Sequence, residues 1–190
     1  MTTDLASILS DLRTDHRNVT IMLNLLDREI AETGDLNEPD FELMRDIMLY
    51  MTVYSDAVHH PKEDLVYAAL AAAGAEFAAG LENVESDHRD IGVLGQTLRH
   101  EIDAVLTGTA VARERVIEDT LDYIRLLRLH MSWEEEDLFL RADRLAEDAA
   151  SGLDLTYLDT PDPVFGLRTQ LGFSNLLAHI HRAANSCTTS

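Results

Sequence analysis

Leu5, Leu9, Leu12, His16, Val19, Leu23, Leu26 and Ile30 follow one another at gaps of 4, 3, 4, 3, 4, 3 and 4. That spacing is one face of a helix, and it forms a continuous apolar seam. Gly34 and the stretch Asp35-Leu36-Asn37-Glu38-Pro39 break it. A second segment runs from about Pro39 to Ala73, with Met44, Met48, Met51, Ser55, His59, Glu63, Val66 and Leu70 facing inward. Pro61 predicts a kink there, because its ring removes one hydrogen bond of the helical ladder. After a loose Gly74–Gly80 connection, a third seam reads Leu81, Val84, His88, Ile91, Gly95, Leu98, Ile102 and Val105, ended by Gly108. The fourth reads Val116, Thr120, Tyr123, Leu127, His130, Glu134 and Leu138 and continues to about Ala149.

No alternating strand pattern appears anywhere. Four long amphipathic segments joined by short breaks predict an all-α fold, an up-down-up-down four-helix bundle over residues 1–150. A polar stretch, Ser151 to Asp162, follows. Asp162 before Pro163 is a helix-start signal, so an additional C-terminal helix is expected from Val164 to Ala184. Residues 151–190 are thus read as a linker plus a helix that packs on the bundle or forms a homo-oligomer contact.

Composition narrows the partners. The chain has 190 residues, with 15 basic and 35 acidic side chains and a formal net charge of −20. Such a surface repels phosphate backbones and anionic lipid, so neither nucleic acid nor a membrane surface is expected as a partner. The longest weakly polar run, Val66 to Ala75, is about half the ~20 residues a membrane helix needs. The single cysteine, Cys187, excludes an intrachain disulfide framework and a thiolate metal cluster. It fits a reducing compartment, and Met1-Thr2-Thr3-Asp4 has no basic segment leading into an apolar one, so a cytoplasmic location is expected.

Of the eight histidines, four stand in the seams, one per segment: His16, His59, His88 and His130. Their surroundings repeat. Thr14-Asp15-His16-Arg17 returns as Ser86-Asp87-His88-Arg89, and His59-x-x-x-Glu63 returns as His130-x-x-x-Glu134, at an offset of 71 or 72 residues. An internal two-helix repeat predicts a pseudo-twofold axis through the core. Residues four apart share a helix face, so each His-x-x-x-Glu pair offers an imidazole and a carboxylate to one centre. Four histidines and two glutamates exceed one tetrahedral zinc and suit two metals bridged by carboxylates. Imidazole and carboxylate together favour iron or manganese over calcium or magnesium. Two buried carboxylates with no lysine in the seam also need cations.

At Asp15-His16, His59-His60-Pro61-Lys62-Glu63-Asp64, Asp87-His88 and His130-Met131-Ser132-Trp133-Glu134-Glu135-Glu136, over roughly residues 5 to 148, the chain resembles the hemerythrin-like family of HHE cation-binding domains. The resemblance implies two iron ions in an oxo- or hydroxo-bridged non-haem centre, with manganese or zinc as alternatives. His16, His59, His88 and His130 would be terminal ligands, and Glu63 and Glu134 bridging ones. Oxygen-carrying members have a further histidine one turn after the third-helix ligand, where this chain has Gly92. One iron therefore has an open position, a water or another ligand. His60 is either that ligand or a side chain outside the first coordination sphere. Its counterpart is Met131, so the two irons would be unequal.

The remaining chemistry-bearing residues have plainer readings. His100, His179 and His181 are read as surface residues, and Trp133, Tyr123 and the methionines as packing. Glu135, Glu136 and Asp137 are read as a solvated face. Asp15 and Asp87 are either supports of the adjacent ligands or surface residues. The expected function is binding or sensing of dioxygen or nitric oxide. The alternatives are an enzyme acting on nitric oxide or peroxide, and an iron-handling or repair protein.

Overall fold

The computed structural model describes residues 2–32, 38–54, 58–148, 155–156, 162–166 and 171–186. Ser55, the break at Gly34, most of the 151–161 stretch, Leu167 and Cys187 lie outside them. Helix α1 (Leu5–Ala31) opens where the Asp4 carboxylate accepts the Ser7 backbone N–H at 2.7 Å. A cap of this kind stabilises a helix by about 1 kcal/mol.

The second segment is described as helix α2 (Phe41–Tyr54) and helix α3 (His60–Ala73), with Val58 and His59 in a π-helical turn just before α3; residues 55–57, beside the kink expected at Pro61, lie outside the described residues. Pro61 falls in the first turn of α3, where its missing N–H has no ladder partner to lose. Helix α4 (Leu81–Leu106) is bounded by Gly80 and Gly108, whose φ angles of 84° and 79° are left-handed. A side chain at Gly80 would also meet the Trp133 ring, with Cβ only 2.9 Å from Cζ2.

The fourth segment departs from the continuous helix read in the sequence. Helix α5 (Arg113–Trp133) passes into a π-helical turn over Glu134–Leu138 before α6 (Phe139–Asp148) resumes. A π turn takes up extra chain and rotates everything after it. Consecutive Leu138 and Phe139, with Ala142, are all buried as a result.

The C-terminal helix is shorter than the Val164–Ala184 expectation. Asp162 does accept the Val164 and Phe165 N–H groups, both at 2.8 Å, but caps only a single turn. A 3₁₀ turn (Leu171–Phe173) then leads into α7 (Ser174–Ser186). Gly166 and Gly172 stand on either side of residues 167–170, and each glycine disfavours helix by roughly 1 kcal/mol relative to alanine. Helix α7 packs on α2. Two-residue strands β1 (Thr2–Thr3) and β2 (Leu155–Thr156) pair antiparallel, too short to leave an alternating pattern.

Among the described residues the architecture is otherwise all-helical. Helix α1 packs against α2, α3, α5 and α6, and α4 against α2 and α5. Two apolar cores result. One joins α3, α6 and the α1 face through Leu12, and the other begins at Val19 and spans α2, α4 and α5. His16 lies between them on α1, so the polar site interrupts the core instead of lying beside it. Among the described residues, no helix is long and apolar enough to cross a membrane.

Candidate metal centre

His16 projects from the middle of α1, His88 from the first third of α4, and His130 from the end of α5. His59 immediately precedes α3, and Glu63 follows one turn later. Glu134 is the first residue of the π turn. The six side chains meet. Glu63 and Glu134 are wholly buried, His16, His59 and His130 are buried, and His88 is half-buried.

Two donor groups can be distinguished, each compact enough to hold an ion: His16, His59 and Glu63, and then Glu63, His88, His130 and Glu134. Glu63 belongs to both. Its Oε1 lies 2.7 Å from His59 Nε2 and 4.0 Å from His16 Nε2, while its Oε2 lies 3.4 Å from His88 Nε2. Glu134 Oε2 likewise stands 3.3 Å from His16 Nε2 and 3.5 Å from His130 Nε2. The Nε2 atoms of His88 and His130 face each other at 3.0 Å. His60 enters neither group and stacks on His88, ring centroids 4.3 Å apart and 19° from parallel.

Whether these residues fit a cation is decided by their unmet hydrogen-bonding capacity. His16 Nε2, both oxygens of Glu63 and Glu134 Oε2 are buried with no well-directed hydrogen bond among the described residues, and they face only one another and the other imidazoles of the cluster. Leaving one such atom unpaired costs roughly 1–3 kcal/mol, and here several converge on one point. Cations supply what they lack. Nitrogen and oxygen donors of this kind suit a first-row transition metal.

The surroundings orient these candidate donors. Asp15, read as either support or surface, is buried. Its Oδ1 accepts from the Tyr54 hydroxyl at 3.1 Å, and its Oδ2 from Lys62 Nζ at 2.9 Å, with His59 Nδ1 3.4 Å away. The seam therefore does include a buried lysine, contrary to the sequence reading, but its charge is taken by Asp15. Glu135 is also not simply solvated: it is half-buried and accepts from His16 Nδ1 at 3.0 Å. The Tyr67 hydroxyl donates to Glu134 Oε1. Lys62 and Tyr67 had no signal in the sequence, except that each stands one turn from Glu63 or His59 on the same helix. Glu136 and Asp137 are exposed as expected, and Asp87 is half-buried. His100 and His181 are exposed and His179 half-buried, all outside the cluster.

In the metal-free protein the charges settle accordingly. Burial lowers the His16 pKa, but Glu134, Glu135 and Glu63 outweigh it and raise it to about 11. His59, opposed by the same burial, is raised by Glu63 and Asp15 to about 9. Burial dominates at His88 and lowers it to about 4. Glu63 is held well below the usual carboxylate range: burial pushes it up, and the His59 and His16 cations more than reverse that.

A cavity of about 40 Å³ lies against the cluster, lined by His59, His60, Gly92, Gln96, Tyr123 and His130 among others. A Cβ added at Gly92 would meet nothing within 4 Å. Tyr123 and Trp133 do pack, Tyr123 against Gly95 and Trp133 against Gly80. Met44, Met48 and Met51 are core.

The fold and these residues define a helical cation-binding protein. The hemerythrin HHE cation-binding domain matches residues 7–142, and the chain belongs to that family. No curated protein and no solved structure matched the chain.

Proposed function

We propose that the cluster holds two irons and that the pair binds or senses dioxygen or nitric oxide. The observation that carries this reading is Glu63, whose two orphaned oxygens face different histidines in two donor groups. His16, His59, His88 and His130 would be terminal ligands, and Glu63 and Glu134 would be shared between the ions. Bound iron supplies the electrons and the open position that a diatomic ligand requires. The protein supplies a largely buried donor frame and the cavity lined by Gly92. A nitrogen-rich ligand set leaves the centre more positive than a carboxylate-rich one, which favours holding a reduced oxygen anion over cleaving it. In this reading residues 1–150 form an up-down-up-down bundle, and residues 151–190 form a separate linker and helix.

The space left by Gly92 favours a second reading, an enzyme that reduces nitric oxide or decomposes peroxide. Stopped-flow mixing of the reduced, iron-loaded protein with each ligand separates the two. A stable one-to-one adduct with dioxygen or nitric oxide is expected. Repeated turnover with release of product would establish the enzyme instead, and no spectral change with any of the three would overturn both.

A further inference from the structure

We infer that the two metal positions are unequal in affinity: the His16–His59–Glu63 position fills first and retains its ion, and the His88–His130–Glu134 position fills second and exchanges. The inference rests on the two-metal reading above and concerns what holds the ligands from behind.

A metal-binding imidazole depends on the partner of its other nitrogen. Once the metal has displaced the Nε2 proton, a carboxylate there fixes the tautomer and makes the ring a stronger donor. Both histidines of the first position have one. Asp15 stands behind His59, itself anchored by Lys62 and Tyr54. Glu135 stands behind His16, with Arg13 Nε 3.6 Å from its other oxygen. The Lys62 charge does not repel an incoming cation appreciably, because Asp15 neutralises it at 2.9 Å.

The repeat shows what the second position lacks. The counterparts of Asp15, Lys62, Tyr54 and Glu135 are Asp87, Trp133, Arg125 and Asp64. Trp133 packs against Gly80, Arg125 pairs with Asp122 on the surface, and Asp64 is exposed. Behind His130, the Nδ1 atom is buried and has no partner among the described residues. The Tyr67 hydroxyl donates to Glu134 Oε1, whereas both oxygens of Glu63 face only imidazoles of the cluster. The frame is twofold in its donors, and the carboxylates behind its histidines stand on one side. Asp15 and Glu135 are therefore positioning residues.

Anaerobic titration of the metal-free, full-length protein with Co(II) tests this. Ligand-field absorption would be read directly, and stepwise constants obtained against a competing chelator. Two steps are expected, the first at least ~10-fold tighter, since each supporting partner alters metal affinity by about 10–100-fold. Asp15→Asn should weaken the first step by about that factor, shift the absorption of the first Co(II) equivalent, and leave the second step unchanged. Asp87→Asn, its repeat counterpart, should change neither. Because Asp15→Asn leaves Lys62 buried without its anion, Asp15→Asn/Lys62→Met should give the same selective loss with the fold preserved. Two ions of equal affinity, or equal weakening of both steps by Asp15→Asn, would overturn the inference alone. Uptake of no more than one ion would overturn the two-metal reading and the inference with it.

Discussion

His16 faces Glu63, Glu134 and Glu135, and without metal it is the cation that keeps these carboxylates together. A histidine raised from 6.5 to about 11 stabilises the fold fully below pH 6.5, and that stability is lost as pH rises toward 11. His59, raised to about 9, acts in the same direction. His88 has the opposite sign. Lowered to about 4, it penalises folding below pH 6.5, and the penalty is relieved as pH rises from 4. The melting temperature of the metal-free protein is therefore expected to peak between pH 6 and 7 and to fall by pH 10. Metal displaces the His16 proton, so loading should release protons at neutral pH and tighten as pH rises. Calorimetry of loading in two buffers of different ionisation enthalpy checks the release. A flat melting profile from pH 7 to 10 would contradict the assignment of His16 as the apo-state cation.

At the scale of elements, the π turn decides what α6 presents. Phe139 stacks on His16, ring centroids 5.3 Å apart and 20° from parallel, and Leu138 and Ala142 fill the core beneath. Deleting exposed Glu136 is expected to return the turn to α-helix with α6 keeping its face, because four α-helical residues turn through about as much as five π-helical ones. Phe139 should then stay on His16, with melting temperature and metal content retained. A loss of metal content would show that the donors need the π turn itself. The seams and the internal repeat made the helices and the six clustered residues legible, because apolar period and residue type are written directly in the chain. The π turn was not legible, since His130-x-x-x-Glu134 reads the same whether or not an extra residue follows. Nor were Lys62, Tyr67 and Glu135. Residue type gives a lysine or glutamate to the surface by default, and only the tertiary position of Asp15 or His16 reverses it.

At the scale of the whole molecule, one carboxylate gathers the polar ties between the C-terminal segment and the bundle, beside the apolar packing of α7 on α2. Asp162 accepts from Tyr50 at 2.9 Å and from Asn18 at 3.2 Å, as well as from its own turn. Tyr50 stacks on Tyr54 at 5.2 Å, and Phe165 and Phe173 close on Tyr50 edge-on. Asp162→Ala leaves the buried Tyr50 hydroxyl without its acceptor and should cost roughly 1–3 kcal/mol in denaturant unfolding. Metal content is expected to stay complete, because the ligands come from α1 and α3 to α5 and the π turn. Loss of metal in this variant would mean that the segment supports the site.

The central claim is that six residues, drawn from two repeats, hold a pair of irons. It is tested most directly by iron analysis of the purified protein together with the optical spectrum of its oxidised form. Two irons per chain are expected, with oxo-to-iron charge-transfer bands, and His16→Ala and His130→Ala should each lower the iron content. One iron or none in the intact protein, or a full complement retained by both variants, would contradict the account.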